Sequence, residues 1–551
     1  MTYTPSTTAI ADNLALTALA GLLPLLVFFV LLGVFKVATH WCAIISLVTA
    51  LVVAMVGFGM PGKLALLAGT QGIAFGFMPI LYIIIAAVWL YNLTEVSGRS
   101  ADVRAVFNVV GKGDMRVQAV LLAFSFCGLL EGLAGFGAPV AIVAAILVTV
   151  GFPPIKAAVL TVVGNAINVG FGGMGIPVTT SGALGRQSPE LVGAIMGHYT
   201  PFIAILVPFV LLSIADGIRG IRQCWPIALA AGLAVSTGHV LAATYFSYQL
   251  TAVVASLLGF AAIALVLKFW SPTTPEDQAS EPLKEKLPAS RAMLGLLPYA
   301  LVIAVFGVAK LWKIGVDLPA ALASTDVKIQ WPGLYGNLLT STGEASTSPI
   351  FNFQWLSSPG TMISLTALVI CAVYASTSSG GLYPMTFGKG VATLGKTIVD
   401  LRISILTIAT VMGLAYVMNM SGQTTAIGTW LAGTGAAFAL LSPVLGWLGT
   451  AVTGSATSAN ALFADLQATA AAKVGIDPSL LLASNTVGGG LGKIVSPQNL
   501  TVVATAINKP GSEAEVLAKV AKYSLGFLAI LAIVVGLSSI GALDWWLPAR
   551  P

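Results

Sequence analysis

Long apolar stretches alternate with short polar ones along nearly the whole chain. Apolar segments of spanning length fall at residues 14–35, 41–60, 69–91, 117–134, 155–175, 191–215, 225–247, 250–270, 292–312, 360–380, 402–419, 436–453, 479–492 and 520–543. A membrane-crossing helix needs roughly 20 consecutive apolar residues, so the pattern predicts an all-α, polytopic membrane protein with about 12–14 transmembrane segments. Shorter apolar pieces at 136–150, 457–471 and 498–508 predict half-helices or re-entrant hairpins. The first run, Leu14 to Val34, has no basic region before it and Lys36 after it, and is read as a retained helix rather than a cleaved signal.

Composition sharpens the class. Of the 551 residues, 57% are hydrophobic and 8% charged, against about 25% charged in soluble domains. The net charge of +6 does not point to nucleic acid, because Lys and Arg are spread over short loops. Arg99 to Arg116, Arg219 with Arg222, Lys268 to Arg291, Lys389 to Arg402 and Lys509 to Lys522 form five basic clusters, all placed in the cytoplasm by the positive-inside bias. The stretch from Gly315 to Gly360 carries only Lys328 among basic residues and reads as extracytoplasmic. Helix parity then puts both termini outside.

The chain repeats itself. Asn165 precedes Pro177 by 12 positions across a Gly-rich run, and Asn485 precedes Pro497 by the same 12, at an offset of 320. The break at Gly135 matches Thr453-Gly454-Ser455, and Ser97-Gly98 matches Ser421-Gly422. Basic residues follow Gly98 closely, but none follows Gly422 before Lys473. The two copies therefore face opposite sides, which is the inverted-repeat plan of a secondary transporter with a midplane site. Small residues recurring at helix interfaces are the bland alternative. They would not preserve the Asn-to-Pro spacing or flip the charge. The boundaries read as N-terminal helices over 1–60, a first repeat over 61–215, connecting helices over 216–385 and a second repeat over 386–551. The connecting part contains a cytoplasmic loop at 271–291 and an extracytoplasmic loop at 313–359.

Charge in the apolar segments marks the candidate chemistry. Glu131 is the only charge from Val117 to Ile155, and a carboxylate at membrane depth costs about 2.5–3.5 kcal/mol on insertion scales. It reads as a proton carrier, whose neutral form burial favours, as the fixed partner of Lys493, or as a structural carboxylate capping broken backbone. Lys493, the only charge between Pro478 and Asn508, either holds an anion or snorkels to the surface. Asp465 is a rival proton site. Half-helix ends at Gly135, Phe136 and Gly137, and at Ser455, Thr457, Ser458 and Asn460, offer free N–H groups to an anion. Asn165, Asn485 and Thr486 flank the second pair of breaks. A polar, mostly uncharged site of this kind suits a small hydroxylated monocarboxylate, and the hydroxyls at Ser455 to Asn460 would also suit Na⁺. The four cysteines read as reduced packing residues, the three histidines as scattered, and no metal or cofactor is expected. No nucleotide loop, HExxH or GxSxG pattern points to an enzyme.

Four motifs carry a resemblance. Leu130-Glu131-Gly-Leu-Ala-Gly-Phe-Gly-Ala-Pro139, Gly170-Phe-Gly-Gly-Met-Gly-Ile-Pro177, Thr453-Gly-Ser-Ala-Thr-Ser-Ala-Asn-Ala-Leu-Phe463 and Gly489-Gly-Leu-Gly-Lys493-Ile-Val-Ser-Pro-Gln498 occur in the order found in bacterial L-lactate permeases. The chain resembles that family over nearly its whole length. The resemblance implies proton-coupled uptake of lactate, glycolate and related 2-hydroxy monocarboxylates across the bacterial inner membrane. It also implies the ion transporter superfamily fold, with a scaffold and a mobile transport domain. One departure stands out: the family usually carries Asp where this chain has Ala456, and an uncharged residue where it has Asp465.

Overall fold

Backbone N–H and C=O groups find no partner in lipid, so a chain this apolar must satisfy them within helices. A computed structural model of the protein describes residues 2–133, 135, 137–279, 287–311, 315–340 and 343–549. Among these, twelve helical stretches are long and apolar enough to cross a membrane. The longest, Pro189–Phe246, is broken at Asp216 and Gly217, where Gly217 takes φ +61°, so it supplies two of the expected segments.

The two expected copies can be followed side by side. Helices Tyr82–Ser97 and Arg402–Ser421 both end on a left-handed glycine, Gly98 (φ +83°) and Gly422 (φ +89°). Short helices follow at Ser100–Val110 and Gln423–Leu431. A two-armed segment comes next in each. In the first, Met115–Leu133 and Ala138–Val150 flank Gly135 and Gly137; in the second, Phe438–Thr453 and Ala456–Lys473 flank Gly454. All three glycines have positive φ, which a residue with a Cβ adopts only at a cost. Helices Pro154–Asn165 and Pro478–Gly492 then run into 3₁₀ turns, Ala166–Phe171 and Lys493–Val495. Helices Gly172–Leu184 and Pro497–Ala506 complete the broken pair.

The pieces of one copy brace the other. Helix Gly172–Leu184 packs on Ala456–Lys473, and Pro497–Ala506 packs on Ala138–Val150. Within the second copy, Phe438–Thr453 lies so close to Pro478–Gly492 that a Cβ on Gly446 would overlap the Asn485 carbonyl, and one on Gly488 that of Pro443. Small residues of this kind let membrane helices approach each other closely.

Residues 155–175 fall in the apolar stretch Pro154–Leu184 and break beyond Asn165, where the Asn165-to-Pro177 spacing predicts it. Two differences from the sequence reading have physical causes. Residues 457–471, expected as a short piece, belong to an 18-residue helix, Ala456–Lys473. Its Ala, Thr and Asn content lowers its hydropathy, but most of it is buried in protein rather than facing lipid. The 313–359 stretch, read as loop in an all-α chain, holds helix Leu318–Ala323 and a small antiparallel sheet. That sheet pairs Val327–Gln330 with Ile350–Phe353, in register Val327 to Phe353.

Candidate functional site

Glu131 lies in the last turns of helix Cys127–Leu133, just before the Gly135 break. Lys493 opens the 3₁₀ turn of the other copy. The two meet: Lys493 Nζ donates to Glu131 Oε1 at 2.9 Å, with side chains 8% and 2% exposed. The second carboxylate oxygen, Oε2, accepts from Asn165 Nδ2 at 2.9 Å. The Cys127 thiol donates weakly to Asn165 Oδ1 at 3.4 Å, which fixes the amide so that its N–H faces the carboxylate. Gly172 makes room for the pair, since a Cβ there would come within 2.8 Å of Glu131 Oε1.

The pair borders a cavity of about 430 Å³, walled by all four breaks. Gly135 and Gly137 come from the first two-armed segment, and Thr453 to Ser458 from the second. Gly172, Gly173 and Pro177 belong to the broken helix of the first copy; Lys493, Gln498, Asn499 and Val502 belong to that of the second. Thr39, His40, Ile403, Ser404 and Thr407 close the far side. Two of the helices that begin at the cavity come from the two-armed segments. Ala138–Val150 starts after Gly137 with no side-chain cap, and Ala456–Lys473 is capped by Ser455, whose Oγ accepts from Ser458 N–H at 3.2 Å. Their free N–H groups add positive potential to a site where Lys493 is already balanced by Glu131.

Sequence-predicted residues fall into three groups. Glu131, Gly135, Gly137, Ser455, Thr457, Ser458 and Lys493 line the cavity. Asn165, Asn460, Asn485 and Thr486 stand behind the wall. Asn460 Nδ2 donates to the Pro177 carbonyl at 2.9 Å, which ties helix Ala456–Lys473 to helix Gly172–Leu184. Asn460 Oδ1 accepts from Asn485 Nδ2 at 2.6 Å and from Thr486 Oγ1 at 3.1 Å. Gln467 in turn donates to Asn485 Oδ1 at 2.6 Å. Asp465 lies away from the cavity, taking a hydrogen bond from Thr424 Oγ1 at 2.5 Å and facing Arg186 at 3.7 Å. Phe136 lies outside the described residues.

The sequence reading missed Thr453, Gln498 and Asn499. Asn499 Nδ2 donates to the Lys493 carbonyl at 3.2 Å, while its Oδ1 is buried without a partner. The signal was the Ser496-Pro497 helix start, which places the next two polar residues at a free helix end.

A polar cavity held among four broken helix ends, inside a multi-pass membrane protein, is the arrangement of a membrane transporter. The chain belongs to the L-lactate permease family, whose pattern it matches over residues 17–540. It is 35% identical to the L-lactate permease of Bacillus subtilis across the full length of both chains. It is 34% identical to the glycolate permease GlcA of Escherichia coli over 95% of each. The Escherichia coli L-lactate permease is also 34% identical, over 98% of each.

Breaking a buried ion pair from one side leaves an uncompensated charge, which costs about 3–5 kcal/mol. Lys493→Met should accordingly lower the thermal unfolding temperature of the detergent-solubilised protein. Adding Glu131→Gln should recover most of that loss. Equal unfolding temperatures for wild type and Lys493→Met would show that the pair contributes nothing.

Proposed function

We propose that the protein imports L-lactate and related 2-hydroxy monocarboxylates, glycolate and D-lactate among them, by proton symport across a bacterial cytoplasmic membrane. The names of its relatives support the substrate class. The observation that carries the coupling is the Glu131–Lys493 pair on the cavity wall.

The reasoning is one of charge balance in a dry place. Empty, the site is neutral, with Lys493 facing an ionised Glu131. A substrate carboxylate entering the cavity competes with Glu131 for the same ammonium. Two carboxylates on one lysine leave a net negative charge, which a low-dielectric site resists. A proton on Glu131 removes it, freeing Lys493 for the substrate. The loaded site is then neutral again. Proton alone leaves the site positive, and substrate alone leaves it negative. If only neutral states change face, substrate and proton must travel together.

Asn499 supports the 2-hydroxy acid reading. Asn499 lines the same wall as Lys493, and its Oδ1, buried and unpartnered in this conformation, becomes an acceptor for the substrate hydroxyl once the side chain turns to the cavity. The repeats over 61–215 and 386–551 supply the two sides of the site in this reading, and the motion exchanges the face to which the cavity opens. Of the two carboxylates, Glu131 is assigned the proton because it borders the cavity and Asp465 does not.

Labelled L-lactate uptake into proteoliposomes tests the coupling. An inward proton gradient alone should drive accumulation in wild type. Glu131→Gln should abolish accumulation while leaving exchange of internal for external lactate. Accumulation driven only by sodium would move the coupling ion to the hydroxyls of Ser455, Thr457 and Ser458. For Asn499→Ala, the KM for lactate should rise about tenfold, the scale of one lost hydrogen bond to a buried group. The inhibition constant of propionate, which lacks the hydroxyl, should stay near the wild-type value. Parallel weakening of both acids would remove Asn499 from hydroxyl recognition.

A further inference from the structure

A second cavity, of about 590 Å³, lies on the other side of the broken helices. Helix Arg402–Ser421 relates the two. Its residues Ile403, Thr407 and Ile408 line the central cavity, whereas Tyr416, Asn419 and Met420 line the second. At 1.5 Å per residue these stretches stand roughly 20 Å apart. Helix Gly172–Leu184 divides the spaces in the same way, with Pro177 on the central cavity and Thr179 and Ala183 on the second. Strand residues Ile350 and Phe351 also border the second cavity, so it lies beneath the small sheet.

Arg186 is the only cation among the described residues lining this space. Glu190, its only anion, accepts a hydrogen bond from Ser188 Oγ at 2.9 Å. Two observations set Arg186 apart from an ordinary surface charge. Its backbone takes φ +55°, in a turn where the Gln187 N–H donates to the Gly182 carbonyl at 2.9 Å. Glycine adopts that conformation without strain and arginine does not, so the guanidinium is kept there at a cost. The second observation is its loose partner. Asp465 is 8% exposed and anchored by Thr424, whereas the Arg186 side chain is 64% exposed and meets it only at 3.7 Å. The carboxylate is fixed and the guanidinium is free to turn into the cavity. A planar guanidinium fork suits a carboxylate in particular. Nearby, the Thr179 and Tyr248 hydroxyls, 2.9 Å apart, offer partners for a substrate hydroxyl.

We propose that this cavity is a vestibular docking site for small 2-hydroxy monocarboxylate anions, where Arg186 exchanges Asp465 for the substrate carboxylate. The proposal rests on the substrate class assigned above. Docking at a cation within a cleft raises the local concentration of the anion before the central site opens to this face.

The four native cysteines are buried and free, so a thiol placed at position 186 can be modified selectively. Arg186→Cys should raise the KM for labelled L-lactate about tenfold, within the range by which such clefts enrich their ligands, and leave Vmax nearly unchanged. A cationic aminoethyl methanethiosulfonate should then bring the KM back down, an anionic sulfonatoethyl reagent should not, and lactate should slow both modifications. Arg186→Lys should sit near wild type and Arg186→Gln near Arg186→Cys, which keeps the test open if the cysteine variant folds poorly. An unchanged KM in Arg186→Cys or Arg186→Gln, or equal effects of the two reagents, would overturn the vestibular site. If wild type takes up no 2-hydroxy acid, this site and the substrate assignment fall together. If wild type transports lactate and Arg186 is indifferent, the vestibular site alone falls.

Discussion

The candidate site is organised around one buried ion pair. Glu131 and Lys493 are 362 positions apart in sequence and come from different copies of the repeat. Neither has a charged counterpart: at the offset of 319 that matches Gly135 to Gly454, Glu131 corresponds to Thr450, and at the offset of 320 Lys493 corresponds to Gly173. The repeated breaks build a scaffold of matched halves, and this pair makes its centre unequal. A buried pair of this kind contributes little net stability, since desolvation offsets attraction. In the proposed mechanism its use lies in switching, because either partner can be satisfied by an incoming charge or a proton.

Much of this was legible in the chain. A lone carboxylate and a lone lysine in apolar segments stand out because membranes exclude unpaired charge. The breaks were legible because glycine and proline end helices in a way that composition displays directly. What the sequence could not separate was the cavity wall from its backing. Asn460 and Asn485 have the same polar character as Ser455 and Thr457. Only packing shows that the former hold the Pro177 carbonyl and each other while the latter face open space. Asn499 escaped notice because an amide at the start of a short helix resembles an ordinary cap. Its free Oδ1 is a property of the fold, not of the motif. The contact of Arg186 with Asp465 joins distant parts of the chain, and neither residue belongs to a repeated motif.

The two cavities give this architecture a direction. Helix Arg402–Ser421 carries the central cavity near one end and the second cavity near the other, with no lining residue shared between them. The ion pair borders the central cavity, which Ile403 also lines, next to the Lys389 to Arg402 cluster that the charge pattern expects in the cytoplasm. Ala456 opens the helix at the cavity and brings no charge there. That leaves Glu131 to balance Lys493.

The central claim is that a substrate carboxylate and a proton enter the pair together. It is tested most directly by adding L-lactate to the purified protein in weakly buffered detergent at neutral pH, with a soluble indicator reporting free protons. The account predicts uptake of about one proton per lactate bound, as linkage requires when binding neutralises a carboxylate, and no uptake in Glu131→Gln. Lactate binding with no change in free protons would contradict it.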